Sequence, residues 1–206
     1  MITSSSNNQI KNMIQLKKKA KERNKQDVFL VEGIKMFREA PKERIQKVYA
    51  SAGFYEKTEH KELLKGCDFE VVSDSVFESI SDTKTPQGII CVVKQYHYEV
   101  SDLVKGDAPL CMVLENLQDP GNLGTIVRTA EGAGVTGIIM NKETVDIYNP
   151  KVIRSTMGSI YRMPFYYAED LLSAIEEMKK RNISTYAAHL DGKNSYDEED
   201  YKKPCA

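Results

Sequence analysis

The stretch Glu115 to Val135, reading ENLQDPGNLGTIVRTAEGAGV, holds two side chains whose chemistry and position invite a role in a reaction. Placed at about 100° per residue, Leu123, Ile126, Val127, Ala130 and Ala133 form one apolar helical stripe, and Arg128 falls roughly opposite it. Packing therefore does not claim Arg128. Its guanidinium is a permanent cation with five donors, suited to a phosphate or to an oxygen that is gaining negative charge. On a helix its stem leans toward the N-terminus, back toward Asp119-Pro120-Gly121-Asn122. Pro120 and Gly121 make a turn, and Asn122 reads as the N-cap. The competing reading of Arg128 is an ordinary solvated arginine. A second set is basic: Lys11, Lys17, Lys18, Lys19, Lys21, Arg23 and Lys25 fall within 15 residues against the single Glu22. Such a block is either a solvated helix face or a surface for nucleic-acid phosphates.

These residues need elements to hold them. Leu110 to Leu114 and Gly137 to Met140 are short apolar runs that flank the Arg128 helix, which Gly134 ends, so the segment reads as a βαβ unit. Open α/β sheets bind ligands at the carboxyl edge of the strands, where the Asn122 turn lies. Ahead of it, TSSSNN precedes a first helix with Ile10, Met13 and Ile14 on one face. Strands are expected at Lys47 to Ser51, Phe69 to Val72 and Gly88 to Lys94, with helices over Phe54 to Lys65 and Val76 to Ile80. Behind it, Asn149 and Pro150 start a helix through Tyr161 that carries Arg154. A strand at Met163 to Tyr167, a helix at Ala168 to Asn182 and a strand at Ile183 to Ala188 follow. The alternation implies a mostly parallel sheet. The polar segment 98–108 divides a first domain, 1–97, from a second, 109–206.

Bulk properties narrow the class. The 206 residues carry a formal net charge of −1, so attraction to nucleic acid has to come from local patches. Cys67, Cys91, Cys111 and Cys205 are widely spaced without a CxxC pair and read as reduced thiols of a cytoplasmic protein. No stretch approaches transmembrane length, and the N-terminus has no hydrophobic signal core. His60, His97 and His189 have no ligand spacing, so no metal is expected.

The string DPGNLGTIVRTAEGAGV resembles the first signature motif of the SpoU or TrmH class of RNA ribose 2′-O-methyltransferases, in the knotted SPOUT superfamily. The segment DIYNPKVIRSTMGSIYRMPF, Asp146 to Phe165, is similar to a second stretch of that family. The opening residues, with FLVEG before Lys35 and SDTKTPQG from Ser81, resemble the small substrate-binding domain that precedes it. The resemblance implies a small ribosomal-protein-like α/β RNA-binding domain followed by a Rossmann-like, mostly parallel SPOUT domain. It implies S-adenosylmethionine as methyl donor, ribosomal or transfer RNA as substrate, and a homodimer. Arg128 and Asn122 become the catalytic pair, and Ala188, His189 and Leu190 become neighbours of the cofactor. Lys11, Lys17, Lys18, Lys19, Lys21, Arg23, Lys25, Lys35 and Arg154 become RNA contacts. The family's later GNEG-type and Ser/Asn motifs are not found before Ala206, so the knot region is expected to be truncated. The alternative is a non-catalytic RNA-binding or ribosome-assembly protein on the same fold.

Overall fold

Asn7 accepts a hydrogen bond from the Gln9 amide at 2.8 Å and so starts α1 (Asn8–Lys18), whose Ile10, Met13 and Leu16 are buried. The chain kinks at the extended residue Lys19 into α2 (Ala20–Gln26), which ends at the left-handed Asp27. From there β1 (Val28–Glu32), α3 (Ile34–Glu39), β2 (Ile45–Ser51), α4 (Ala52–Glu56), α5 (Thr58–Leu63), β3 (Phe69–Val72), α6 (Asp74–Ile80) and β4 (Ile89–Lys94) follow. The helix expected over Phe54 to Lys65 is thus two short ones, broken where Lys57 is extended.

In this computed structural model, which describes residues 1–206, the strands order as β1-β4-β2-β3. β4 runs antiparallel to both neighbours, and β2 runs parallel to β3. Ile89 to Val93 of this interior strand are all buried, which explains its unbroken apolar run. Ile10, Met13 and Leu16 of α1 join Val28, Leu30 and Phe77 in the core of this unit.

The second part of the chain contains α7 (Val100–Leu103), β5 (Cys111–Leu114), α8 (Pro120–Gly132), β6 (Gly137–Asn141), α9 (Pro150–Thr156), β7 (Phe165–Ala168) and α10 (Leu171–Lys180). β5, β6 and β7 form a parallel sheet in that order, with α8 as the β5-to-β6 crossover. The expected architecture, a small α/β unit followed by a parallel Rossmann-like one, is what forms. Residues 98–108 are not featureless: Glu99 and Asp102 make a reciprocal capping box on α7.

The chain folds as two compact units, Met1–Tyr96 with Asp146–Tyr161, and His97–Val145 with Arg162–Ala206. The segment Asp146–Tyr161, assigned by linear order to the second domain, therefore belongs to the first unit. Phe29 stacks on Tyr148 with ring centroids 4.7 Å apart, the Tyr148 hydroxyl donates to Tyr96 O at 3.0 Å, and the buried Tyr161 hydroxyl donates to Met36 O at 3.0 Å. The helix expected to reach Tyr161 stops at Thr156, because Met157 and Gly158 take positive φ of 53° and 104°, and a 3-10 turn, Ser159–Tyr161, follows.

The strand expected at Ile183 to Ala188 does not form. Residues 204–206 lie beside the start of β5, with Cys205 N donating to Pro109 O and Cys111 N to Cys205 O, both at 2.9 Å. On the far side of 204–206, Ser184 N donates to Pro204 O at 2.9 Å, Ala206 N to Ser184 O and Tyr186 N to Ala206 O, both at 2.8 Å, but this pairing amounts to one isolated bridge and is too short to count as a strand.

Gly88 closes the first unit tightly. Its φ is +86°, and an added Cβ would sit 2.7 Å from Phe54 Cβ and 2.9 Å from Ser51 Oγ. Gly88→Ala should therefore cost about 2–4 kcal/mol from left-handed strain plus overpacking, seen as a lower urea midpoint. An unchanged midpoint would contradict this close approach.

Candidate active site and nucleic-acid interface

Leaving β5, the chain has no further ladder to satisfy its backbone, and side chains take over. Asn116 adopts a left-handed φ of +52°, a conformation asparagine tolerates better than most residues. Its amide donates to Asn141 Oδ1 at 2.9 Å, and Asn141 Nδ2 returns a bond to Asn116 Oδ1 at 2.7 Å. Thr144 Oγ1 also donates to Asn141 Oδ1, at 2.7 Å, and accepts from the Leu117 amide at 3.3 Å. Val145 N donates to Leu117 O at 2.9 Å. The loop after β5 is in this way fastened to the loop after β6. None of these three polar residues was singled out from the sequence; the available signal was an Asn within two residues of the end of each of two apolar strand runs.

Asp119, rather than Asn122, caps α8: its Oδ1 accepts from the Asn122 amide at 2.7 Å. Pro120 takes the first helical position, where a missing N–H costs nothing. The Asp119 cap leaves the Asn122 side chain without a capping duty, exposed at the third helical position. Leu123, Val127 and Ala130 are buried as the stripe required, whereas Ala133 is exposed at the C-cap, just before Gly134 at φ +77°.

Arg128 is exposed and has neither an ion-pair nor a hydrogen-bond partner. The nearest partner by helical spacing is Glu131, three residues on, and that carboxylate accepts from Arg162 Nε at 2.7 Å. Arg128 therefore presents an uncompensated cation on the helix that starts at the carboxyl edge of the parallel sheet.

The predicted cofactor neighbours Ala188, His189 and Leu190 lie on open chain away from regular structure. His189 Nδ1 accepts from the Asp191 amide at 3.1 Å, and Leu190 is fully exposed. No hydrogen bond or ion pair joins them to α8.

The basic residues divide sharply. Lys11, Lys18, Lys19, Lys21 and Lys25 are exposed on α1, α2 and the kink between them. Lys17 instead donates to Ser79 O and Ser81 O at 3.0 and 2.7 Å. Arg23 is only 3% exposed; it donates to Leu16 O at 2.7 Å and ion-pairs with Asp146. Arg154 is ion-paired with Asp82, and Lys35 lies 3.9 Å from Glu39. Arg23 and Arg154 thus hold the Asp146–Tyr161 segment within its unit, a use their charge alone did not reveal.

The two phrases FLVEG and SDTKTPQG meet here as well. Glu32 accepts from the Ser81 and Thr83 hydroxyls at 2.6 and 2.7 Å and from the Asp82 amide at 3.0 Å, while Gln87 Oε1 accepts from the Ile34 amide at 2.8 Å. Lys17, Glu32, Asp82 and Arg154 line a shallow cleft in this unit, but their charges are met by one another or by neighbouring polar groups. No group of three or more His, Cys, Asp or Glu side chains converges as a metal site, and no helix is long and apolar enough to cross a membrane.

Residues 109–206 match the SpoU rRNA Methylase family, and residues 7–91 match the MRM3-like substrate binding domain. The chain is 30% identical over 199 residues to the 23S rRNA (guanosine(2553)-2'-O)-methyltransferase RlmP of Bacillus subtilis, covering 96% of this chain and 76% of that protein. It is 37% identical over 152 residues to the mitochondrial rRNA methyltransferase 3 of Homo sapiens, covering 69% of this chain but 35% of that longer relative. Among solved structures, the AdoMet-bound rRNA methyltransferase from Sinorhizobium meliloti matches with a TM-score of 0.80 and 29% identity, over 99% of this chain and 78% of the other.

The burial of Arg23 makes a prediction that separates it from its lysine neighbours. Arg23→Ala removes a buried guanidinium from Leu16 O and Asp146 and should destabilise the protein by about 1–3 kcal/mol, seen as a lower thermal midpoint, whereas Lys18→Ala should change stability by less than about 0.5 kcal/mol. Equal midpoints for the two variants would refute a structural role for Arg23.

Proposed function

The chain belongs to the SpoU family of rRNA methylases, S-adenosylmethionine-dependent RNA ribose 2′-O-methyltransferases, and from that membership we propose that Arg128 and Asn122 act on a ribose of ribosomal RNA. The observation that carries this reading is the exposed, unpartnered guanidinium of Arg128 on α8. A ribose 2′-hydroxyl is a very weak acid, and its oxygen gains negative charge as the proton leaves and the oxygen attacks a methyl group. Arg128 is always protonated, so it serves poorly as a base and well as a fixed positive charge beside that oxygen or the adjacent phosphate. Asn122, with both amide ends available, orients the ribose.

S-adenosylmethionine supplies an electrophilic methyl group on a sulfonium. Ala188, His189 and Leu190 are the residues we place beside it. They fit such a group in kind, since Leu190 leaves its whole side chain uncovered and Ala188 is small enough for a purine face to lie against the backbone. On the RNA side, Lys11, Lys18, Lys19, Lys21 and Lys25 hold phosphates and so position the substrate without reading its sequence. Lys35, exposed on α3, adds a sixth charge to that unit. We further propose that the protein works as a homodimer, and in the cytoplasm, in keeping with its four free cysteines.

Arg128→Ala should lower kcat for methyl transfer by about 10²–10³-fold, the usual cost of one preorganised charge donor, while leaving the thermal midpoint unchanged. Full activity in that variant would remove Arg128 from the reaction, whereas absence of methyl transfer in the parent, with RNA binding intact, would favour the non-catalytic RNA-binding alternative. Changing Lys18, Lys19 and Lys21 together to Glu should weaken RNA binding and reduce the slope of log K against log salt by about 2–3 units. An unchanged slope would return these lysines to simple surface charge. Leu190→Ala should weaken S-adenosylmethionine binding about tenfold in a calorimetric titration, in line with loss of most of a buried leucine's transfer energy. Equal affinity would place the cofactor elsewhere.

A further inference from the structure

Gln118 Nε2 donates to Glu143 O at 2.5 Å, and the other bonds that hold the residues just before the Asp119 cap run to Thr144, to Val145 and, two of them, to the last residue of β6, Asn141. Its Oδ1 accepts both the Asn116 amide and the Thr144 hydroxyl, and its Nδ2 donates to Asn116 Oδ1. Thr144 then receives the Leu117 amide, and Leu117 O receives the Val145 amide. The β5 exit, left-handed at Asn116, has no ladder of its own to fix it at that point. Two residues past Leu117 comes Asp119, whose side chain starts α8 and so sets where Asn122 and Arg128 begin.

We propose that Asn141 is a positioning residue for the reaction: it touches neither RNA nor cofactor, but locks the turn that aims Asn122 and Arg128. The inference rests on the role given to Arg128 above. A side chain at the end of one strand thereby governs the active turn at the end of its neighbour. Its chemistry is specific. Removing the amide deprives the Asn116 amide and the Thr144 hydroxyl of a shared acceptor, so the turn loosens although the strands on either side stay buried. An aspartate at this position keeps that acceptor, and the Asn116 side-chain amide can rotate to donate to it. Asn141→Asp should therefore restore what Asn141→Ala loses.

The test compares these two variants with the parent, each with and without Arg128→Ala. Amide hydrogen exchange is read at Asn116, Leu117 and Val145, together with RNA affinity and methyl-transfer kinetics. The expected result for Asn141→Ala is at least tenfold faster exchange at those amides. It should also lower kcat about tenfold with little change in KM for RNA, and weaken the effect of removing Arg128, whereas Asn141→Asp should stay within about threefold of the parent in each. Unchanged exchange in Asn141→Ala would overturn the lock. Faster exchange with fully additive effects of the Asn141 and Arg128 changes would overturn the positioning role. Failure of Asn141→Asp to restore kcat, although exchange returns to normal, would also overturn it. An Arg128→Ala variant that is silent in affinity and turnover would instead remove the catalytic role of Arg128, and the exchange data would still decide the lock.

Discussion

A strand that leaves a parallel sheet must find new partners for its backbone within one or two residues, and here that requirement shapes the site. At the end of β5 it is met by a small cluster of uncharged side chains, Asn116, Asn141 and Thr144, rather than by water or a longer ladder. The cluster fixes the approach to Asp119, and Asp119 fixes the first turn of α8. Burial of Leu123, Val127 and Ala130 then sets the rotation of the helix, so Arg128 emerges on the outer face. The Arg128 side chain is thus placed by two independent constraints: hydrogen bonding at the turn sets its height, and apolar packing sets its direction.

The second constraint was legible in the sequence and the first was not. The spacing of Leu123, Val127 and Ala130 has a period, and any residue off that period stands out, as Arg128 did. A cap has no period. Asp119 and Asn122 are both good capping residues one turn apart, and only the bond from the Asn122 amide to Asp119 distinguishes them. The same limit applies to the β5 exit, where the partner of Asn116 is 25 residues away. Local patterns also overstated the sheet near the end of the chain: Ile183 to Ala188 looks like a strand, but it pairs only through Ser184 and Tyr186 with residues 204–206, which themselves lie beside β5.

Charge was the least legible feature, since a run of lysines and arginines reads as one surface until burial sorts it. Arg23 lies within that run and is nonetheless buried, bonded to Leu16 O and to Asp146, 123 residues later. The pairing explains why Asp146–Tyr161 joins the first unit: Tyr148 and Tyr161 insert their rings there, and the two arginines fasten its polar groups. A linear reading assigns the segment to whichever motif it resembles. The contacts assign it to the unit that satisfies its hydrogen bonds.

Most arginines of this chain are engaged, and Arg128, like Arg38, is not. Arg23, Arg154, Arg162 and Arg181 each face a carboxylate. A guanidinium so paired has its charge largely compensated, and the pair would have to break before the cation could stabilise a developing alkoxide. That breakage would raise the barrier by the energy of the pair. Glu131, three residues after Arg128, is the carboxylate that would naturally compensate it, and Arg162 binds that group from 31 residues away. In the role proposed for Arg128, Arg162 supports it without touching substrate: by engaging Glu131 it leaves the Arg128 charge uncompensated. Preorganisation here consists as much in the partner denied to Arg128 as in the turn that aims it.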